Sequence, residues 1–338
     1  MSEDPISSPT GVEGYAAIGE GAVVGAIEDR ATLGVSGPAR ASFLQGLLTN
    51  DIEALKPGAG CYAAWLTPQG RLLTDLHVFE SGDMILLDVP AAQAVATLER
   101  LEQFHFSEDV QLADLSRSLA SVWVHGPSAP AVVELVVVGA ERLASWDEYK
   151  NARASFDGEP AVVARVSQLG VPGFVVYLEP RRVETLVAAF SAAGAVVAGS
   201  TALEAARIEA AYPLTGIDMD DNTLPLETGI EPRAISFTKG CYVGQEVIIR
   251  VMHRGLGRVA KRLVLLHVSG GLPEPGASAF DGDREVGTIT SAVRSPRFGP
   301  VALGYLHRDY VTPDTAVEIQ ADGGRIEAVV ASVVPPVA

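Results

Sequence analysis

The chain has 338 residues, 48% hydrophobic and 20% charged, a folded composition long enough for two or three domains of ~150 residues. Its 25 Lys and Arg face 42 Asp and Glu, a formal net charge of −17, which repels phosphate backbones and argues against general nucleic-acid binding. No apolar run approaches the ~18 residues of a membrane span, residues 1–11 lack the features of a signal peptide, and Cys61 and Cys241 lie too far apart for a disulfide scaffold or a Cys-rich metal site, so a cytoplasmic protein without a membrane partner is expected.

Residues 1–10 show no periodicity and read as a frayed tail. Gly19-Glu20-Gly21 has the outline of a phosphate loop, but no convincing strand precedes it and a turn is expected. Gly37 and Pro38 open a short helix with Phe43, Leu44, Leu47 and Leu48 on one stripe. From Arg71 the period becomes two: Leu72, Thr74, Leu76 and Val78 face one way, and Leu73, Asp75, His77 and Phe79 the other. Ser81-Gly82-Asp83 turns this strand into a partner over 84–89, and Pro90 opens a helix carrying Val95, Leu98 and Leu101.

A strand over 119–124, a helix over 129–138, strands over 161–166 and 173–178, a helix over 181–193 stopped by Gly194, and a strand over 195–198 follow in the β-α-β-β-α-β order of a split βαβ unit. Thr201 and Glu204 have the spacing of a capping box for a helix that must end near Pro213. Beyond Lys261, β-rich runs over 262–268, 285–293, 301–306, 316–319 and 326–334 predict a small barrel or sandwich.

Residues 201–262 carry the chemistry. Glu204, Glu209, Asp218, Asp220, Asp221, Glu227 and Glu231 precede a reversal of sign at Arg250, Arg254, Arg258, Lys261 and Arg262. These basic residues fit either a helical stripe or, because Gly255 and Gly257 interrupt it, a loop and the start of a strand. At the junction stands Lys239-Gly240-Cys241-Tyr242-Val243-Gly244-Gln245-Glu246. A thiol near a helix N-terminus and a lysine becomes a better nucleophile; a buried cysteine in a tight turn is the alternative. His77, His105, His125, His253, His267 and His307 show no metal-ligand spacing, so no metal site is expected.

The octapeptide at 239–246 resembles the K-G-C-Y-x-G-Q-E signature of the YgfZ family, folate-binding relatives of the glycine-cleavage T-protein. Arg254-Gly255, Ala211-Tyr212-Pro213-Leu214, Asp218-Met219, Pro225-Leu226-Glu227 with Gly229, and Leu44-Gln45-Gly46 with Thr49-Asn50-Asp51 are similar to further family landmarks. The resemblance implies an α+β, three-domain cloverleaf around a central hole that binds tetrahydrofolate. The expected divisions are 1–50 with 118–229 for the first α+β domain, 51–117 with 230–260 for the second, and 261–338 for a C-terminal β-barrel.

The resemblance also implies support of iron–sulfur cluster assembly or repair, with iron–sulfur client proteins or assembly factors as partners and a link to tRNA modification. Glu227 is expected to hold the pterin, with Asp218 lining the same site and Lys239 and Tyr242 among the folate-binding residues; the arginines from 250 to 262, Arg254 among them, and Arg233 are the expected cations for the glutamyl tail, and Cys241 is the candidate functional thiol. The T-protein uses an aspartate on a strand matching Gly70–Leu76, where Thr74 takes the first acidic position and Asp75 points to the opposite face. A hydroxyl cannot replace that carboxylate, so aminomethyl transfer of the T-protein type is the alternative and not the first expectation.

Overall fold

The computed structural model describes residues 9–253 and 257–334. In chain order they form α1 (Pro9–Glu20), β1 (Val23–Ile27), β2 (Arg30–Ser36), α2 (Arg40–Gln45), β3 (Gly60–Leu66), β4 (Leu72–Glu80), β5 (Met84–Pro90), α3 (Ala94–Phe104) and β6 (Gln111–Asp114). Next come β7 (Ala120–His125), α4 (Ala129–Val136), β8 (Asn151–Phe156), β9 (Glu159–Arg165), β10 (Gly173–Leu178), α5 (Val183–Ala192), β11 (Val196–Val197) and α6 (Ser200–Glu209). The short helices α7 (Pro225–Thr228) and α8 (Glu231–Ala234) and the helix α9 (Gln245–His253) lead to β12 (Lys261–Val268), β13 (Ser278–Asp281), β14 (Arg284–Ser295), β15 (Gly299–His307), β16 (Ala316–Ala321) and β17 (Gly324–Val333).

The first sheet has the order β11-β1-β7-β10-β9-β8. Strands β7, β9, β10 and β11 with α4 and α5 follow the expected split βαβ order; β1 is inserted between β11 and β7, and β8 extends the far edge. One face is covered by α4 and α5 over a core that includes Val122, Val124, Phe174, Val176 and Phe190. The expected tail ends at Pro9, where α1 begins, and residues 1–8 lie outside the described residues.

The second sheet, β3-β4-β5-β2-β6, buries Leu33, Val35, Leu44, Trp65, Leu76, Val78 and Leu87 beneath α2 and α3. Strands β1 and β2 are separated by Glu28 and Asp29 alone yet lie in different sheets. Residues 30–50 therefore pack with the second sheet and not, as the expected boundary at residue 50 required, with the first. The reason is register: β2 pairs with β5 along its whole length, from Arg30 opposite Pro90 to Ser36 opposite Met84.

The C-terminal strands close into a barrel of order β12-β15-β14-β13-β16-β17, filled by Val264, Leu266, Ile289, Ala302, Leu306 and Val330. Helix α6 lays Ala205 and Ile208 against the barrel residues Leu263, Val293 and Leu303. It starts at Ser200 with Gly199 at its cap and no side-chain capping bond, so Thr201 and Glu204 form no capping box; Glu204 instead pairs with Arg207 at 2.8 Å.

The basic run is not one helical stripe. Arg250 lies in the last turn of α9, Arg262 is on β12, Gly257 turns at φ 70°, and Arg254 lies outside the described residues. Gly244, by contrast, is required: it has φ 85°, and a Cβ there would sit 2.5 Å from the Thr67 carbonyl oxygen.

Candidate functional site

The two sheets meet face to face. Phe79 and Leu86 of the second pack against Val175 and Tyr177 of the first, and at the margin of this seam lies a buried polar cluster. Alternation along β3 and β4 sets its first members: Tyr62 pairs with His77 and Ala64 with Asp75, so Tyr62, Asp75 and His77 share the face turned toward the first sheet.

Arg30, at the start of β2, reaches into the cluster. Its Nη1 is 3.7 Å from an Asp75 carboxylate oxygen, its Nε donates to the Asp88 carboxylate, and its Nη2 donates to the Asp88 carbonyl at 2.6 Å. Tyr177 donates its hydroxyl to the other Asp88 oxygen. Burial alone would raise the Asp88 carboxyl, but Arg30 outweighs it and holds the group well below the usual carboxylate range. Burial, reinforced by the Arg30 charge, pushes His77 below its ordinary value and keeps it neutral.

Across from these, Arg233 of α8 lies between two aromatic rings, its guanidinium carbon 4.2 Å from the centroid of Tyr62 and 4.2 Å from that of Tyr212. Tyr149 stacks on Tyr62 with ring centroids 6.4 Å apart. Tyr149 has φ 65°, and Ala211, the residue before Tyr212, has φ 52°; two non-glycine residues in the left-handed region beside one cluster are stored strain of about 1 kcal/mol or more each. A recess of about 290 Å³ opens here, bordered by Arg30, His77, Asp88, His125, Arg207 and Tyr212 among others. Several buried polar atoms have no hydrogen-bond partner: Tyr62 Oη, Asp75 Oδ1, His77 Nε2, and Nε, Nη1 and Nη2 of Arg233.

Thr74 and Asp75 lie on opposite faces of β4, as expected. Thr74 pairs with Trp65, whose ring lies in the core under α2 and α3 with Leu76 and Val78, and its hydroxyl donates to the Asp75 carbonyl at 3.1 Å. Asp75 shares the strand face of His77, which borders the recess, and is 4% exposed with one oxygen free.

The other expected site residues separate. Asp218 is saturated: Oδ2 accepts from Arg207 at 2.7 Å and from the Leu214 N–H at 3.0 Å, and Oδ1 accepts from Thr290 and Ser291 at 2.6 Å each. Such a carboxylate has no lone pair left for a ligand; it fastens the 214–219 loop to the barrel. Glu227 accepts from the Leu224 N–H at 3.2 Å and borders a second cleft, of about 800 Å³, between that loop and the barrel, together with Arg71, Lys261 and Tyr305. Burial raises its carboxyl above the ordinary value.

Lys239 donates to the carbonyls of Gln45, Leu48 and Asn50 at 2.6–2.7 Å, which engages all three of its donors away from any ligand, and burial pulls it down to about 8. Tyr242 is packed with Leu66, Met219 and Ile248. Cys241 is exposed ahead of α9, whereas Cys61 is buried and burial pushes its thiol up to about 12. Arg254 lies outside the described residues. Of the expected set, Arg233 alone joins the central cluster.

Arg30, Tyr62, Asp88 and Tyr212 were not singled out as site residues from the sequence. The signal for the face itself was there, since the period of two placed Asp75 and His77 together.

A split βαβ sheet, a second sheet and a closed barrel define a fold class, that of the aminomethyltransferases that act in glycine cleavage. The glycine cleavage system aminomethyltransferase T of Bartonella henselae has the same fold, with a TM-score of 0.82 over 96% of this chain and 90% of that one at 22% identity. Residues 13–239 match the GCVT N-terminal domain and residues 261–336 the glycine cleavage T-protein C-terminal barrel domain. The aminomethyltransferase of Rubrobacter xylanophilus is 32% identical over 82% of this chain and 73% of its own length, and that of a Nostoc species 29% identical over 86% and 78%. The chain belongs to the glycine cleavage T-protein family. No helix among the described residues is long and apolar enough to cross a membrane.

Proposed function

We propose that this protein is a folate-dependent one-carbon transferase of the T-protein type. The observation that carries the reading is Asp75: a buried carboxylate on the recess-facing side of β4, oriented by Arg30, with one oxygen left without a partner. An acceptor held in place and shielded from water suits an amine that must be polarised or deprotonated. Tetrahydrofolate, when bound, supplies the amine that takes up the one-carbon unit.

The recess suits such a ligand in kind, because it is bordered by Tyr212 and by His77 and His125, each with a ring nitrogen left unpaired, and Asp75 shares the strand face of His77. Asp75 would accept a proton at Oδ1, Arg30 would hold the carboxylate in place, and the facing sheets would exclude water. Glu227 supports a different placement, with the pterin in the cleft beside the barrel.

A calorimetric titration of anaerobic tetrahydrofolate decides between them. Micromolar binding, roughly −8 kcal/mol, is expected in the wild type and in Glu227→Ala. Asp75→Asn is expected to keep its fold and lose tetrahydrofolate-dependent transfer by about a hundredfold or more. Loss of binding in Glu227→Ala alone would move the ligand to the barrel cleft, and full transfer in Asp75→Asn would end the proposal.

A second reading, an accessory role in iron–sulfur enzyme maturation, is supported by the exposed Cys241 within the octapeptide. Its test is Cys241→Ser in cells: undiminished activity of iron–sulfur enzymes would remove it.

A further inference from the structure

Among the exposed large apolar side chains, Phe104, which ends α3, and Phe106 just beyond it stand two residues apart, 41% and 83% exposed. They border a groove of about 570 Å³ that is floored by the nearly buried Phe43 and Leu47 and also lined by Val243 of the octapeptide. Val243 is pinned there, its N–H donating to the Gly46 carbonyl at 3.3 Å. Gly46 also lines the groove, and nothing lies within 4 Å of the place where its Cβ would be.

The exposure of the two rings is built into the turn. The Glu108 carboxylate accepts from the N–H groups of Phe106 and Ser107 at 3.0 Å each, and His105 Nε2 donates to the Glu108 carbonyl at 2.9 Å. Phe104 is braced by Trp65, ring centroids 6.1 Å apart. Two aromatic rings held in water forgo burial that the fold does not recover elsewhere. Fixed aromatic side chains beside an apolar groove are the composition of a contact surface.

The charges select the occupant. Among the described residues that line the groove, Glu108 is the one that carries charge, and the Ser107 and Phe106 N–H groups hold its carboxyl below the ordinary value. Glu99 and Glu102 are exposed on the preceding turn of α3, and Glu102 lies 4.0 Å from His105 Nδ1. A second copy of the chain would set these acids against its own, and a phosphate-bearing surface would be repelled as well. An apolar segment flanked by Lys or Arg satisfies both the rings and the carboxylates.

We infer that this groove is a docking site for a basic, apolar peptide segment of a partner protein, its apolar side chains on Phe43, Leu47, Phe104 and Phe106 and its Lys or Arg heads at Glu102 and Glu108. The groove lies on the face of the second sheet covered by α2 and α3, away from the seam with the first sheet, so it stands whatever the recess binds. Cys241 is exposed and within about 7 Å of Val243 along the chain, so a label there reports on the groove.

The probe is a synthetic twelve-residue peptide of Leu, Phe and Lys, with a control in which Glu replaces every Lys. Each is titrated at about 0.15 M salt into the full chain with a bimane fluorophore on Cys241, and by calorimetry into the unlabelled chain. Cys61 is buried with its thiol pushed up to about 12, so the label goes to Cys241. Saturable binding of the Lys peptide is expected, at least tenfold tighter than the Glu peptide and with a change at the label. Gly46→Trp, which fills the groove from an open position, and Phe106→Asp are each expected to weaken it at least tenfold. Phe106→Asp adds a negative charge, so adhesion through charge alone would strengthen instead.

No saturable binding of the Lys peptide, or equal binding of the two peptides, overturns the inference. So does unchanged affinity in both variants, or heat of binding without a change at the label, either of which puts the peptide elsewhere on an acidic surface. The label in the wild type still decides the location if a variant fails to fold. A dimer that forms on concentration and dissociates in Phe106→Asp would give the groove to a second copy and overturn the inference as well.

Discussion

Asp75 and Thr74 are adjacent on one strand, and the pleat separates what they can do. Their faces are fixed by cross-strand register: Ala64 and Tyr62 stand opposite Asp75 and His77, on the side of β4 from which His77 borders the recess. His125 shows how burial at a single residue becomes a pH dependence. It is 3% exposed with Nδ1 unpaired, lies beside Trp123 at 5.4 Å, and burial pushes it down to about 4. The unfolded chain, with an ordinary imidazole near 6.5, binds more protons across that window. Stability from this group is therefore complete above about pH 6.5 and declines as the pH falls to about 4, by roughly 3 kcal/mol. His77, lowered for the same first cause, adds in the same direction. Urea unfolding of His125→Phe should show a shallower loss between pH 6.5 and 4 than the wild type; parallel profiles would mean that the imidazole is not neutral in the fold.

The 239–246 loop and the 49–51 segment, which stand out in the sequence as family landmarks, are structural at most of their positions. Lys239 fixes the chain end of α2 through three carbonyls. Thr49 donates to the Ala234 carbonyl at 2.6 Å, and Asn50 donates to the carbonyls of Tyr62 and Arg233 at 2.8 and 2.9 Å. Together they seat α8 on β3 and so aim Arg233. Lys239→Met would leave three carbonyls short of a donor and should cost about 3 kcal/mol in chemical unfolding, whereas Cys241→Ser should cost less than about 0.5 because the residue is exposed.

Elements with a strong pattern were legible: the hairpin β4–β5, the split βαβ order and the barrel. Strands β1, β3 and β8 were not. Gly and Ala dilute the apolar signal of β1 and β3, and β8, Asn-Ala-Arg-Ala-Ser-Phe, is an edge strand with two buried residues. The recess was legible only as isolated residues, because Arg30, Asp88, Tyr149, Tyr212 and Arg233 come from five separate segments and no local spacing links them.

Over the whole molecule, Asp218 ties the loop after α6 to the barrel. It receives Thr290 and Ser291 of β14, its carbonyl accepts the Tyr305 hydroxyl at 2.8 Å, and Arg207 balances its charge. Asp218→Ala takes one of two carboxylates from the buried Arg207, which keeps Glu204, and leaves the Ser291 hydroxyl without its partner, a loss of about 2–3 kcal/mol. Unfolding should then divide into two transitions as the barrel parts from the sheets; a single, unshifted transition would show that α6 packing alone holds it.

The placement of β1 has a consequence for how the chain is made. Val23–Ile27 has as its neighbours β7 and the short parallel strand β11, both synthesised long afterwards, while β2, two residues on, waits for β5. At ~5–20 residues per second, the interval before Val196 and Val197 emerge is roughly ten to thirty-five seconds. For about the first half of that time, until β7 follows, an apolar strand near the N-terminus leaves the ribosome with no partner, and the first sheet cannot close around it before β11 is made. A strand made among the first is completed among the last, so the nascent chain needs either shielding or fast later synthesis to avoid pairing with a neighbour.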